Sequence, residues 1–296
     1  MTSTVPEGVH TDTLHPQPSA ASDVVPVIIR HRRDWVGVVA PIIGFGVFIG
    51  AWYLMHAWAL RAIWDKPDFL VTPPHRVISE SFLDADNRST LLHGLMWTSF
   101  VALIGLIVAI VIGMTLAIAM AQARWLERSF WPYLVAMQAI PILALIPVIG
   151  SIFGFGFSAR ILVCVIIALF PIVSNTLFGL LSADRGQHDL FTLRGAGRRT
   201  RLVRLQLPSA MPAIFTGFRI AAGLSVIGAV VGELFFRRGE KGIGILLDTF
   251  RSRNNYPLMY GALVLAALLG IAVFTFFGWL ANRVVGRWYE PTRSTG

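Results

Sequence analysis

Glu233 is the one acidic residue deep inside a long apolar run, where a carboxylate has little water to solvate it. An ion at a helix centre costs about 2.5–3.5 kcal/mol on insertion scales. Such a group is expected to face a bundle interior or a solute path, unless it sits hydrated at an external helix end. Gln138, Ser174, Asn175, Thr176 and Ser225 are further polar side chains within apolar runs. They are candidates to line a path, and equally candidates to hydrogen-bond helices together. The familiar devices of catalysis are missing. No G-x-x-x-x-G-K-[ST] loop occurs, so the chain does not cradle ATP by that device. No serine-centred nucleophile elbow is present. No cluster of His, Cys or Glu has metal-ligand spacing. No catalytic residue, metal or cofactor is therefore expected. Cys164 is the sole cysteine and lies in an apolar run, where its expected role is a small buried residue.

A second pattern suits docking. Asp189 to Pro208 lies between two long apolar segments and carries Arg194, Arg198, Arg199, Arg201 and Arg204. A loop this basic beside membrane spans is expected to face the cytoplasm. Leu190, Phe191 and Leu193 would give a short helix apolar knobs, as helix-in-groove contacts require. Gly195 and Gly197 near its end allow a sharp turn and close backbone approach. The arginines can pair with acidic groups on a partner or with anionic lipid heads. The plainer alternative is a topological anchor that binds nothing.

The elements that must position these residues are membrane helices. The chain is 55% hydrophobic and only 14% charged, with mean hydropathy +0.67. A soluble domain is usually about 25% charged. The apolar excess is gathered into runs long enough to cross a bilayer, which takes about 20 residues. Six spans are expected: 36–60, 97–121, 131–153, 161–181, 211–236 and 257–280, with both termini cytoplasmic. Residues 1–30 read as a disordered tail rather than a signal peptide. Residues 31–91 hold the first span and an external segment, with an interfacial helix at 76–83. Arg30, Arg32 and Arg33 before Trp35 place the N-terminus inside. Residues 92–288 form the core with its loop at 183–209, and 289–296 a short tail. Pro141 and Pro147 in the third span leave backbone groups that need partners, which favours a helix packed in the bundle. The net charge of +9 is assigned to anchoring and topology. No nucleic-acid recognition motif accompanies it. The inside bias of Lys and Arg is weak overall, because Arg237, Arg238, Lys241, Arg251 and Arg253 fall outside.

The 189–208 stretch resembles the cytoplasmic "EAA" loop of binding-protein-dependent ABC importer permeases. Pro208 stands thirteen residues after Gly195, as that loop requires. Pro212-Ala213-Ile214-Phe215-Thr216-Gly217-Phe218-Arg219 is similar to the family's start of the next span. Ile227-Gly228-Ala229-Val230-Val231-Gly232-Glu233 and Gly242-Ile243-Gly244 resemble its later elements. Pro141 to Pro147, Phe153-Gly154-Phe155-Gly156 and Phe170-Pro171-Ile172 match the branch importing nitrate, sulfonates, taurine and pyrimidine-type precursors. The similarity covers 92–288. Asp189-Leu190-Phe191 stands where members usually carry Glu-Ala-Ala, so two docking residues are bulkier than usual.

The resemblance implies an all-α membrane protein with the type I importer permease fold, in the plasma membrane. It does no chemistry itself. Asp189, Leu190, Phe191, Gly195, Ala196, Gly197, Leu207 and Pro208 would couple it to a separate ATPase. Two ATPase subunits, an extracytoplasmic binding protein and a second copy of the chain are the implied partners. Gln138, Ser174, Asn175, Ser225 and Glu233 are the pathway candidates. The competing class is an ion-coupled secondary transporter, for which Glu233 would be the coupling acid.

Overall fold

The computed structural model describes residues 35–59, 67 and 70–286, and every regular element among them is helical. The tail at 1–30, Arg30 to Arg33 and the 289–296 tail lie outside the described residues. Helix α1 is Trp35–Leu54, followed by a π-helical turn at Met55–Ala59. Helix α2, Pro74–Ile78, and a π-helical turn at Ser79–Leu83 form a short helical segment where one was expected at 76–83. Then come α3 (Ala85–Gln122), α4 (Arg124–Ala139), α5 (Ile142–Phe153) and α6 (Phe157–Leu181). A short amphipathic α7 (Arg185–Leu193) and one turn, α8 (Arg198–Arg201), lead through a π-helical turn at Leu202–Gln206 into α9 (Leu207–Phe235). Helices α10 (Ile243–Ser252) and α11 (Tyr256–Val285) complete the order.

Among the described residues five helices are long and apolar enough to cross a membrane, or six spans if α4 and α5 count as one broken span. Two span starts differ from the sequence expectation. The second span begins at Ala85 rather than near Trp97, because the Asp84 side chain accepts from the Asn87 N–H and caps a longer helix. The fifth runs without interruption from Arg198 to Phe235, 38 residues in all. Its π-helical turn precedes Pro208, the residue that has no N–H to give to the turn before it.

The third span is broken, with α4 and α5 meeting at 102°. Pro141 disfavours helical backbone at Ile140, which is extended at φ −70°, ψ 126°. The expected burial of this span is not found within one chain. Only Leu134, Ile146, Ile149 and Gly150 of the pair are buried. Pro141 ends α4 rather than kinking it and so frees fewer interior groups, whereas Pro147 lies inside α5.

The centre of the molecule is α6 against α9, with α3 on their flank. Leu106, Ala109, Val165, Ala168, Ile172, Ala221 and Ala222 form one packed cluster there. Small residues set the spacing. A Cβ on Gly228 would lie 2.9 Å from the Cys164 Cα, and one on Gly113 would lie 2.7 Å from Ile172 Cγ2. In lipid, where burial against a neighbour gains little over burial in tails, such close approach supplies the van der Waals contact that holds helices together. Trp52, near the end of α1, is tied to the start of α11 and to the segment before α2. Trp52 Nε1 donates to the Thr72 carbonyl at 3.0 Å, and the Trp52 and Tyr260 rings lie 5.7 Å apart.

Candidate functional site

Helix α7 is built to be presented. The Asp184 side chain caps its start by accepting from the Gly186 N–H at 3.3 Å. Its end is closed by two backbone bonds, Gly195 N–H to Thr192 O and Ala196 N–H to Phe191 O, both 2.9 Å. That pair is a Schellman ending, and it needs a left-handed residue, which Gly195 supplies at φ +63°. Arg201 Nε then donates to the Ala196 carbonyl at 3.1 Å and fixes the turn into α8, whose first residue follows Gly197. Gln122 Nε2 donates to Gln206 Oε1 at 3.0 Å, tying this region to the end of α3.

Among the described residues nothing covers α7. None of its residues is buried, and Leu190 and Leu193 are 56% and 86% exposed. Phe191 is half-buried, and Asp189, Arg194, Arg198 and Arg199 are exposed around it. At its foot a cleft of about 1100 Å³ is lined by Phe178, Gln187, Val203, Leu207, Pro208 and Val284 among others. The structure therefore brings the docking residues expected from the sequence onto one short helix, its turn and the helix that follows. The exposed leucines and arginines would suit an apolar groove rimmed by acidic groups.

The pathway candidates are not gathered at one place. Gln138 is exposed on α4, and Ser174 and Asn175 are half-buried on α6. Asn175 Nδ2 donates to the Pro171 carbonyl at 2.8 Å. Ser225 is buried, its hydroxyl donating to the Ala102 carbonyl at 2.6 Å, so it joins α9 to α3. Glu233 is fully buried. Its carboxylate accepts from the Thr98 hydroxyl at 2.9 Å and from the Gly244 N–H at 2.8 Å. The Thr98 oxygen in turn accepts from the Ile243 N–H at 2.7 Å.

Arg160 and Thr98 were not singled out by sequence. Arg160 is 2% exposed and spends its guanidinium on three carbonyls. Nε donates to Phe236 O at 2.8 Å, Nη1 to Glu240 O at 2.9 Å and Nη2 to Arg238 O at 3.0 Å. Its position near the start of an apolar run looks like an ordinary interfacial arginine. The acceptors lie almost eighty residues away, and only the fold brings them together.

The family model for the binding-protein-dependent transport system inner membrane component matches residues 109–289. The formylaminopyrimidine transport permease protein of Halalkalibacterium halodurans is 33% identical, over 77% of this chain and 90% of that protein. A putative aliphatic sulfonates transport permease protein of Escherichia coli is 30% identical, over 80% of this chain and 88% of that protein. A chain from the crystal structure of an amino acid ABC transporter with histidines has TM-score 0.53 and 16% identity, covering 68% of this chain and 95% of that one. That last likeness bears on the fold alone.

Proposed function

Since the chain belongs to the binding-protein-dependent transport system inner membrane component family, we propose that α7 and its turn are the docking element through which a separate ATPase drives transport. The chain is a multi-pass membrane permease subunit of an ABC importer. The ion-coupled secondary transporter suggested by Glu233 finds no support among these relatives.

The reading of the loop rests on one observation above the others. Leu190 and Leu193 stand exposed on a helix whose two ends are capped, so an apolar surface is held in place without a partner among the described residues. Asp189, Leu190 and Phe191 on α7, Gly195, Ala196 and Gly197 in the turn, and Leu207 and Pro208 beyond it form the docking set. The loop lies on the cytoplasmic side, and with it both termini. One chain offers one such loop, so two copies paired about a two-fold axis engage two ATPase subunits. ATP-driven closure of those subunits moves the loops, and the bundles alternate between inward- and outward-facing states. The energy for this comes from contacts that differ between the states. Residues 92–288 are the transporting core and 31–91 an added span with its external segment. Gln138, Ser174 and Asn175 face the path, while Ser225 and Glu233 act from within its walls.

An extracytoplasmic binding protein delivers the solute, which is a small organic or inorganic anion of the nitrate, sulfonate or taurine kind, or a pyrimidine precursor. The binding protein largely selects it. The test is purification of the tagged chain from its native membranes in mild detergent, followed by mass spectrometry. An ATPase with a phosphate-binding loop is expected to accompany it, and to be lost from a Leu190→Asp/Leu193→Asp variant that still inserts into the membrane. A wild-type chain that purifies alone, or a variant that retains the ATPase, refutes the docking assignment.

A further inference from the structure

Segment 236–244 leaves the membrane end of α9 and is held by buried charge from two sides. From α6, the Arg160 guanidinium binds the carbonyls of residues 236, 238 and 240. From α9 and α3, Glu233 and Thr98 bind the N–H groups of residues 244 and 243. Arg238 N–H also donates to the Phe155 carbonyl at 2.9 Å, adding the α5–α6 turn. Gly242 and Gly244 permit this approach. A Cβ on Gly242 would collide with the Glu233 carboxylate, and one on Gly244 with the Val230 carbonyl. Among the described residues no buried side-chain polar atom lacks a partner, so the network is complete.

Apolar packing would hold a loop here more cheaply than two ions removed from water. What the charges add is a single geometry. A guanidinium has five fixed donors and can hold several carbonyls in one register. The segment is thus rigidly continuous with α9, and α9 is continuous through the π-helical turn with Arg198, beside the docking loop. Thirty-eight residues at about 1.5 Å each span roughly 57 Å, more than the roughly 40–45 Å depth of a bilayer.

We propose that Arg160 and Glu233 are positioning residues for transport, clamping segment 236–244 to the end of α9 so that movement entering at the docking loop is delivered to the outer mouth. This rests on the importer reading above. The clamp makes α6, α9 and the segment one body, and coupling between distant sites needs such an element.

The test uses the complex with its co-purified ATPase in lipid nanodiscs, where both faces are open. Lys241 is exposed at the edge of the clamp, and Lys241→Cys provides a label site. Cys164 is fully buried and stays silent. Labelling by a hydrophilic maleimide is measured without nucleotide and after trapping with ATP and vanadate. In the intact background the labelling rate is expected to change on trapping. With Glu233→Gln this response is lost while the ATPase still co-purifies. Thr98→Val, which removes the hydroxyl at nearly constant volume, reports the same loss if Glu233→Gln does not fold. A nucleotide response that survives in either variant overturns the proposal. So does an intact background with active ATPase and no response at position 241. Absence of any accompanying ATPase overturns the importer reading instead.

Discussion

Asp248 lies partly buried on α10 between two arginines, accepting from Arg251 Nη2 at 2.7 Å and from Arg237. Those bonds, Arg251 first and Arg237 second, hold its carboxyl below the usual carboxylate range. The folded value is depressed, so the stabilisation is fully present above the unfolded value of about 3.9 and is lost as pH falls through the folded one. Amide hydrogen exchange in α10 is expected to accelerate as pH drops below about 4, beyond its intrinsic pH dependence. Asp248→Asn should show weaker protection at neutral pH and no such acid-induced loss. An acid profile identical in the two proteins would place the sensitivity elsewhere. Residue chemistry was only partly visible in the sequence. Glu233 drew notice because an acid in an apolar run is costly wherever it ends up. Which groups it meets was not visible, since Thr98 lies 135 residues away and looks like any threonine in a span. Arg160 was hidden for the opposite reason, because a cation at a span end already has a sufficient explanation in topology.

Among the elements, α7 was the most legible, because glycine placement, apolar knobs and a following proline all pointed one way. Its ending yields a direct prediction. Gly195 is in the left-handed region with open space around its Cα, so the cost of a side chain there is conformational and not steric. That cost is about 1–2 kcal/mol for an L-residue. Gly195→Ala should therefore leave membrane insertion intact and reduce recovery of the ATPase with the chain by about fivefold to thirtyfold, since 1.4 kcal/mol is one decade in an equilibrium constant. Undiminished recovery would mean that the Schellman turn does not set the docking geometry. Span ends were legible only roughly. Hydropathy marks where lipid must begin, but helices α3 and α9 continue well past that point, the one by an aspartate cap and the other by absorbing Pro208 after a π-helical turn. Pro141 and Pro147 carry the same letter in the sequence, yet one ends a helix and the other lies inside one. Local context, not residue type, decides between these.

At the scale of the whole molecule, the chain shows large apolar side chains on nearly every outer face, as a membrane protein must. Phe130, Trp131 and Tyr133 on α4 and Val148, Ile152 and Phe153 on α5 are all exposed in the single chain. A paired assembly with two docking loops is expected to contain two copies of this chain and two ATPase subunits. Native mass spectrometry of the purified complex reads this stoichiometry directly, and a complex with one copy of this chain and a different permease would replace the homodimer with a heterodimer. The corner between α4 and α5 bears on how such a molecule is made. Segments of 16 and 12 residues are each shorter than the roughly 20 that a span requires, and at 102° they do not add up to one straight rod. Neither half carries enough greasy length to leave the translocon for lipid unaided. This stretch of about thirty residues is therefore expected to settle in the membrane only once α6 has followed it, and a chain truncated before Phe157 that still integrates it would show otherwise.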